Sequence, residues 1–130
     1  MNVTVLGGGM VGSAIARDLA NESSFTVTVA DRDAAALARC ASALVRTRQA
    51  DLADAAQLSE AIADAELVIG AVPGFMGFET LRRVIDAGIN VVDISFFPED
   101  PFALDALARE RGVTAVMDCG LAPGLGNILM

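Results

Sequence analysis

The sequence predicts an α/β domain: a doubly wound, parallel, six-stranded sheet with strand order 3-2-1-4-5-6. Three observations support it. Short apolar, β-branched runs alternate with helical patterns along all 130 residues, and connections this short allow only right-handed crossovers. A hydrophobic content of 54% suits strands covered by helices on both faces. The first strand runs straight into Gly7, Gly9 and Gly12 and then into a helix, the order in which the spacing G-x-G-x-x-G carries chemical meaning.

Asn2 to Leu6 is the first strand, and the helix after the glycine turn starts near Met10 and reaches Ala20. Phe25 to Ala30 makes the second strand and Asp33 to Ser42 an alanine-rich helix with Leu37 and Ala41 on one face. Leu44 to Gln49 is a third, poorer strand, in which Arg46 and Arg48 alternate with Val45 and Thr47 as an edge strand with one wet face would. Asp54 N-caps a helix to Ala63 that spaces Leu58 and Ile62 by four. Glu66 to Val72 is the most apolar strand and ends at Pro73-Gly74. A helix over Phe78 to Ala87 stops at Gly88, and Ile89 to Ile94 follows as the fifth strand. After a turn at Pro98 to Pro101 come a helix to Arg111, a stop at Gly112, and a sixth strand from Val113 to Met117. A further helix is expected near Leu125.

The glycine turn is the chemical signature of this Rossmann-type arrangement. The first glycine permits the tight turn, the second lets the backbone approach a pyrophosphate, and the third lets the helix pack on its strand. The N-terminus of the helix then aims unpaired N–H groups and a positive dipole end at the phosphates. Asp31 lies 19 residues beyond Gly12 at the end of the second strand, close to the distance at which an acid accepts from the adenosine ribose. A carboxylate there repels a 2′-phosphate, so NAD is preferred, with NADP possible because the adjacent Arg32 can stack under adenine or pair with that phosphate. Asp51 and Leu52 end the third strand where the adenine edge would rest. Ala71, Val72, Pro73 and Gly74 form a small-residue loop that leaves room for pyrophosphate and ribose. Asp93 ends the fifth strand near the expected nicotinamide position, and such a carboxylate needs a partner, whether a ligand hydroxyl or a backbone N–H.

Composition excludes several functions. Nine basic residues, all Arg, against 17 acidic ones give a net charge of −8, which argues against nucleic acid and anionic membranes as partners. No apolar run nears the roughly 18 residues of a membrane helix. The uncharged start, Val3 to Ala16, lacks a basic leader and is centred on the glycine turn, so a cytoplasmic location is expected rather than export. Cys40 and Cys119 form neither a disulfide framework nor a zinc site, and no metal is expected. The chain has no His, so proton transfer would fall to Asp, Glu, Cys, Ser or the cofactor. Without His or Lys to activate it, Cys119 reads as a small buried residue, and no catalytic residue is assigned.

Taken together the motifs resemble the amino-terminal domain of saccharopine dehydrogenase-like oxidoreductases, which include lysine 6-dehydrogenase and carboxynorspermidine dehydrogenase. The likeness is carried by VLGGGMVGSAIARDLA ending at Ala20, Ala30-Asp31, ADL at Ala50 to Leu52, AVPGFMG at Ala71 to Gly77, AGINVVDIS at Ala87 to Ser95, and DCGLAPGLGN at Asp118 to Asn127. The resemblance implies that Gly7, Gly9, Met10, Val11 and Gly12 hold the pyrophosphate, Asp31 the ribose, Asp51 and Leu52 the adenine, and Ala71 to Pro73 the central cofactor. It also implies NAD(P)-linked chemistry at a carbon–nitrogen bond of an amino acid or amine, such as lysine or saccharopine. A separate substrate domain would complete the site and the oligomer interface. On this reading residues 1–130 are the dinucleotide-binding domain, and those from about 121 begin the connection to the substrate domain. The chain alone is then expected to be inactive and to expose the apolar segment Leu121 to Met130. Cys119 stands where the family often has Ala, and Phe96 and Phe97 replace a more polar loop. The alternative is a regulatory nucleotide-sensing module of the TrkA type, which has no need of the segment Asp118 to Asn127.

Overall fold

The computed structural model describes residues 1–130. Six parallel strands form one sheet in the order β3-β2-β1-β4-β5-β6. They are β1 (Asn2–Leu6), β2 (Thr26–Asp31), β3 (Val45–Gln49), β4 (Leu67–Gly70), β5 (Asn90–Asp93) and β6 (Ala115–Val116). The helices are α1 (Met10–Ala20), α2 (Ala34–Cys40), α3 (Ala55–Ile62), α4 (Gly74–Asp86), α5 (Asp105–Arg111) and α6 (Leu125–Leu129), with a 3-10 turn at Pro101–Leu104 leading into α5.

Side-chain alternation along the strands divides the core into two layers. On one face Val3, Val5, Val27, Val29 and Val45 pack against Ala16 and Ala20 of α1 and Leu37 and Cys40 of α2. On the other, Leu6, Ala30, Val68 and Val91 pack against Leu58 and Ile62 of α3 and Leu81, Val84 and Ile85 of α4. Capping follows the sequence: the Asp54 side chain accepts from the Gln57 N–H at 2.9 Å, and Gly88 and Gly112 end their helices with positive φ.

One boundary differs from expectation in a way that shapes the site. The sequence reads as loop up to Gly77, yet α4 begins at Gly74 and includes Gly77. Both glycines are there for close approach: a Cβ on Gly74 would strike the Phe96 carbonyl oxygen, and one on Gly77 would lie 2.6 Å from Phe97 Cδ1. β6 is shorter than its apolar run, with two residues. Beyond it Leu121, Ile128, Leu129 and Met130 are exposed, so the final segment does present an apolar surface. No helix is long and apolar enough to cross a membrane.

Candidate functional site: a dinucleotide cleft

The register that pairs Leu6 with Ala30 on one side and Gly70 on the other brings the ends of β1, β2 and β4 level. The glycine loop therefore leaves the sheet where the strand order reverses, which is where doubly wound sheets bind ligands. Two of the three motif glycines are explained by the fold. Gly7 has φ 105°, and a Cβ there would come within 2.5 Å of the Ala71 carbonyl oxygen. A Cβ on Gly12 would run into the Gly7 carbonyl oxygen. Gly9 is different: its φ is −66°, and a Cβ would meet nothing within 4 Å. Nothing in the protein requires glycine at this position. The open space beside it is what a close-approaching ligand would fill.

That space is lined by unsatisfied donors. Gly9 caps α1 without a side-chain hydrogen bond, and the first bond back to the loop is from Ser13 N–H to the Gly9 carbonyl oxygen at 2.9 Å. The N–H groups of Gly9, Met10, Val11 and Gly12 make no hydrogen bond within the protein. They converge at the positive end of an 11-residue helix, an arrangement complementary to a phosphate. The Met10 and Val11 side chains are exposed, and their backbone N–H groups are what these residues offer at the helix start.

Beside the loop is a cavity of about 200 Å³. Gly7, Asp31, Arg32, Asp51, Leu52, Val72 and Pro73, all singled out from the sequence, line it. Ala53, Phe75 and Met76 also line it; sequence reasoning missed Phe75 and Met76 because the first turn of α4 reads as loop, and Ala53 because it is a plain alanine one step past the Asp51-Leu52 pair. The signal available was the AVPGFMG segment itself. The Asp31 carboxylate is fixed at both oxygens, Oδ2 accepting from Gly8 N–H at 2.6 Å and Oδ1 from Asp33 N–H at 2.8 Å. Asp51 Oδ1 accepts from Ala53 N–H at 3.0 Å, so Asp51 caps its own turn while facing the cavity. Arg32 is exposed and has no ion-pair partner. With two carboxylates and one guanidinium, the cavity lining is net negative.

On the far side Ala71 continues β4, its N–H donating to the Leu6 carbonyl oxygen at 2.9 Å. Asp93 lies behind this wall, 1% exposed, and lines no part of the cavity. Its Oδ1 accepts from Ser95 N–H at 2.6 Å, and Ser95 Oγ in turn donates to the Val72 carbonyl oxygen at 3.0 Å. Oδ2 is buried without a partner and fills the space a Cβ on Gly70 would take. Burial raises the Asp93 carboxyl from 3.8 to about 6, against the hydrogen bonds from Ser95, which lower it; the charge of Asp118 adds to the rise. Cys119 is exposed rather than buried. A larger polar hollow of about 370 Å³ lies among Thr4, Thr28 and Arg46 at the opposite, amino end of the strands, away from every group described above.

Comparisons with known proteins agree with this geometry. Residues 3–116 match the family model described as saccharopine dehydrogenase NADP binding domain. Over 129 residues the chain is 26% identical to a saccharopine dehydrogenase (NADP(+), L-glutamate-forming) of Pyricularia oryzae, covering 98% of this chain and 28% of that one. The fold is similar to that of apo saccharopine dehydrogenase (L-Glu forming) from Saccharomyces cerevisiae, with a TM-score of 0.84, 27% identity, and 95% of this chain and 28% of that one covered. GenD2 from gentamicin A biosynthesis, solved in complex with NAD, matches with a TM-score of 0.70 and 29% identity over 90% of this chain and 34% of its own. The chain thus spans 28% of the length of the two saccharopine dehydrogenases it resembles.

Proposed function

This chain belongs to the family of saccharopine dehydrogenase NADP-binding domains, and on that premise we propose that it is the NAD(P)-binding part of an oxidoreductase acting on a carbon–nitrogen bond of an amino acid or amine, such as lysine or saccharopine. The observation that carries the reading is the space beside Gly9, faced by four N–H groups without acceptors. In the proposed pose the pyrophosphate lies on Gly9, Met10, Val11 and Gly12, the adenosine ribose on Asp31, and the adenine between Leu52 and Arg32 with Asp51 at its edge. Ala71 to Pro73 and Phe75 border the middle of the cofactor. The bound cofactor supplies hydride transfer; this chain's residues bind and orient it, and a substrate domain outside these 130 residues supplies the groups that hold the amine. Asp93 acts at one remove, setting the position of Val72 through Ser95.

NAD is the preferred form in this proposal. A 2′-phosphate would sit against Asp31, whose carboxylate is held in place by two backbone N–H groups and has Asp51 as a neighbour in the same cavity. At about 4 Å, a pair of like charges near a protein surface repels by about 4 kcal/mol at an effective dielectric of 20, and the cavity sets two such carboxylates against the single guanidinium of Arg32. Of the remaining expectations, a homo-oligomer rests on the family likeness, and a cytoplasmic location on the uncharged, glycine-centred start of the chain. The nucleotide-sensing alternative draws no observation in its favour. Titration of NADH and NADPH against the chain, followed by the cofactor's own fluorescence, tests the proposal without interference because the chain contains no Trp or Tyr. Tighter binding of NADH supports it, and tighter binding of NADPH refutes the assignment of Asp31.

A further inference from the structure

Gly8, the loop glycine outside the G-x-G-x-x-G spacing, is gripped on both sides. Its N–H donates to Asp31 Oδ2 at 2.6 Å. Its carbonyl oxygen accepts from the thiol of Cys40 at 3.6 Å, a residue 1% exposed at the end of α2. Sterics do not demand this grip, since a Cβ on Gly8 would meet its neighbours at 3.4–3.5 Å, ordinary contact. The peptide joining Gly8 to Gly9 is trans, so its C=O and N–H point in opposite directions. With the C=O turned inward to Cys40, the Gly9 N–H is turned outward, into the space where it has no acceptor and a Cβ would touch nothing. Were that peptide to flip, it would present a carbonyl oxygen to an incoming anion and cost the cleft one donor.

We propose that Asp31 and Cys40 are positioning residues for the dinucleotide's pyrophosphate, acting through Gly8. The inference rests on the reading that a dinucleotide occupies the cleft. It gives Asp31 a second task beyond the ribose: its carboxylate belongs to the frame of the phosphate loop, so the two halves of the cofactor site share one side chain. Cys40, which approaches no ligand, orients the donor that does. Asp31 therefore cannot be exchanged simply to alter nucleotide choice. In Asp31→Asn only one oxygen remains for the N–H groups of Gly8 and Asp33, and the amide NH₂ confronts the other.

The test compares ADP-ribose, which carries the pyrophosphate, with adenosine, which does not, by calorimetry on the whole chain. Cys40→Ala, which lacks the donor, is expected to weaken ADP-ribose by about two- to fivefold, the range of one weak hydrogen bond, and to leave adenosine unchanged. Cys40→Ser, which keeps a donor, should return ADP-ribose affinity toward wild type. Cys40→Val fills the volume without a donor and serves if the alanine variant is too unstable to titrate. Asp31→Asn should weaken ADP-ribose and NADH by about tenfold or more, the loss of a hydrogen bond to a charged group, while the relief of charge at the 2′ position offsets that loss for NADPH. Equal losses for ADP-ribose and adenosine in Cys40→Ala, no loss for either, or an Asp31→Asn variant that binds NADPH as tightly as wild type binds NADH would overturn the inference. A wild-type chain that binds neither ADP-ribose nor NADH would instead remove the cofactor reading beneath it.

Discussion

Replacing Gly9 with valine separates the needs of the ligand from those of the fold. Gly9 has φ −66° and ψ −168°, extended backbone that a β-branched residue adopts readily, and its Cβ would enter open space. Restricting the unfolded chain at such a position stabilises by about 0.4–1 kcal/mol, while valine is a poorer N-cap than glycine by a similar amount. The two nearly cancel, so the stability of Gly9→Val should stay within about 1 kcal/mol of wild type. Binding should collapse, because the isopropyl group stands where the pyrophosphate must approach the N–H groups. Losing two hydrogen bonds to a charged group, each about 1.5–3 kcal/mol, weakens binding by about a hundredfold to ten-thousandfold. Urea unfolding followed by circular dichroism gives the first number and NADH fluorescence titration the second. A folded Gly9→Val that binds NADH within about threefold of wild type would refute the placement of the pyrophosphate.

Gly12→Ala should behave in the opposite way, losing about 2–4 kcal/mol of stability in urea because its Cβ meets the Gly7 carbonyl oxygen and the helix must shift; a stability equal to wild type would contradict the packing described. The Asp93 carboxyl is raised from 3.8 to about 6, so the folded protein holds a proton that the unfolded chain gives up; this contribution to stability is full below about pH 4, falls as pH rises through 6, and is absent above. Two pK units correspond to about 3 kcal/mol, so the stability of Asp93→Asn relative to wild type should rise by about 2–3 kcal/mol between pH 4 and pH 7, and a difference independent of pH would show that Asp93 does not titrate in this way. The 130-residue chain should produce no NADH with lysine, saccharopine or polyamines, since the groups that hold the amine lie in the proposed second domain; turnover would place them among its own acids and Cys119.

The glycine loop and the acid beside it were legible because both depend on where strands end. β1 and β2 are parallel neighbours in matched register, so the acid closing one strand must face the glycine turn closing the other, and Asp31 reaches Gly8 as that geometry requires. Phe75 and Met76 were not legible. Gly74 and Gly77 have the composition of a loop, and their reason for being glycine lies about twenty residues away in Phe96 and Phe97, a tertiary fact that no local pattern carries. Asp93 shows the same limit from the other side: an apolar strand ending in an acid announces a partner, but its pairing opposite Gly70 is what turns that acid inward to Ser95. Cys40, lying in an alanine-rich helix, gave no sign that it touches the glycine loop.

Amide NMR on the ¹⁵N-labelled chain, at 13.4 kDa well suited to the method, observes directly whether the unpaired N–H groups at the start of α1 receive the cofactor. On addition of NADH the largest shifts should fall on Gly9, Met10, Val11 and Gly12, with a second group at Asp31, Leu52 and Ala53. Shifts centred instead on Thr4, Thr28 and Arg46 at the opposite end of the sheet, or none at saturating NADH, would contradict it.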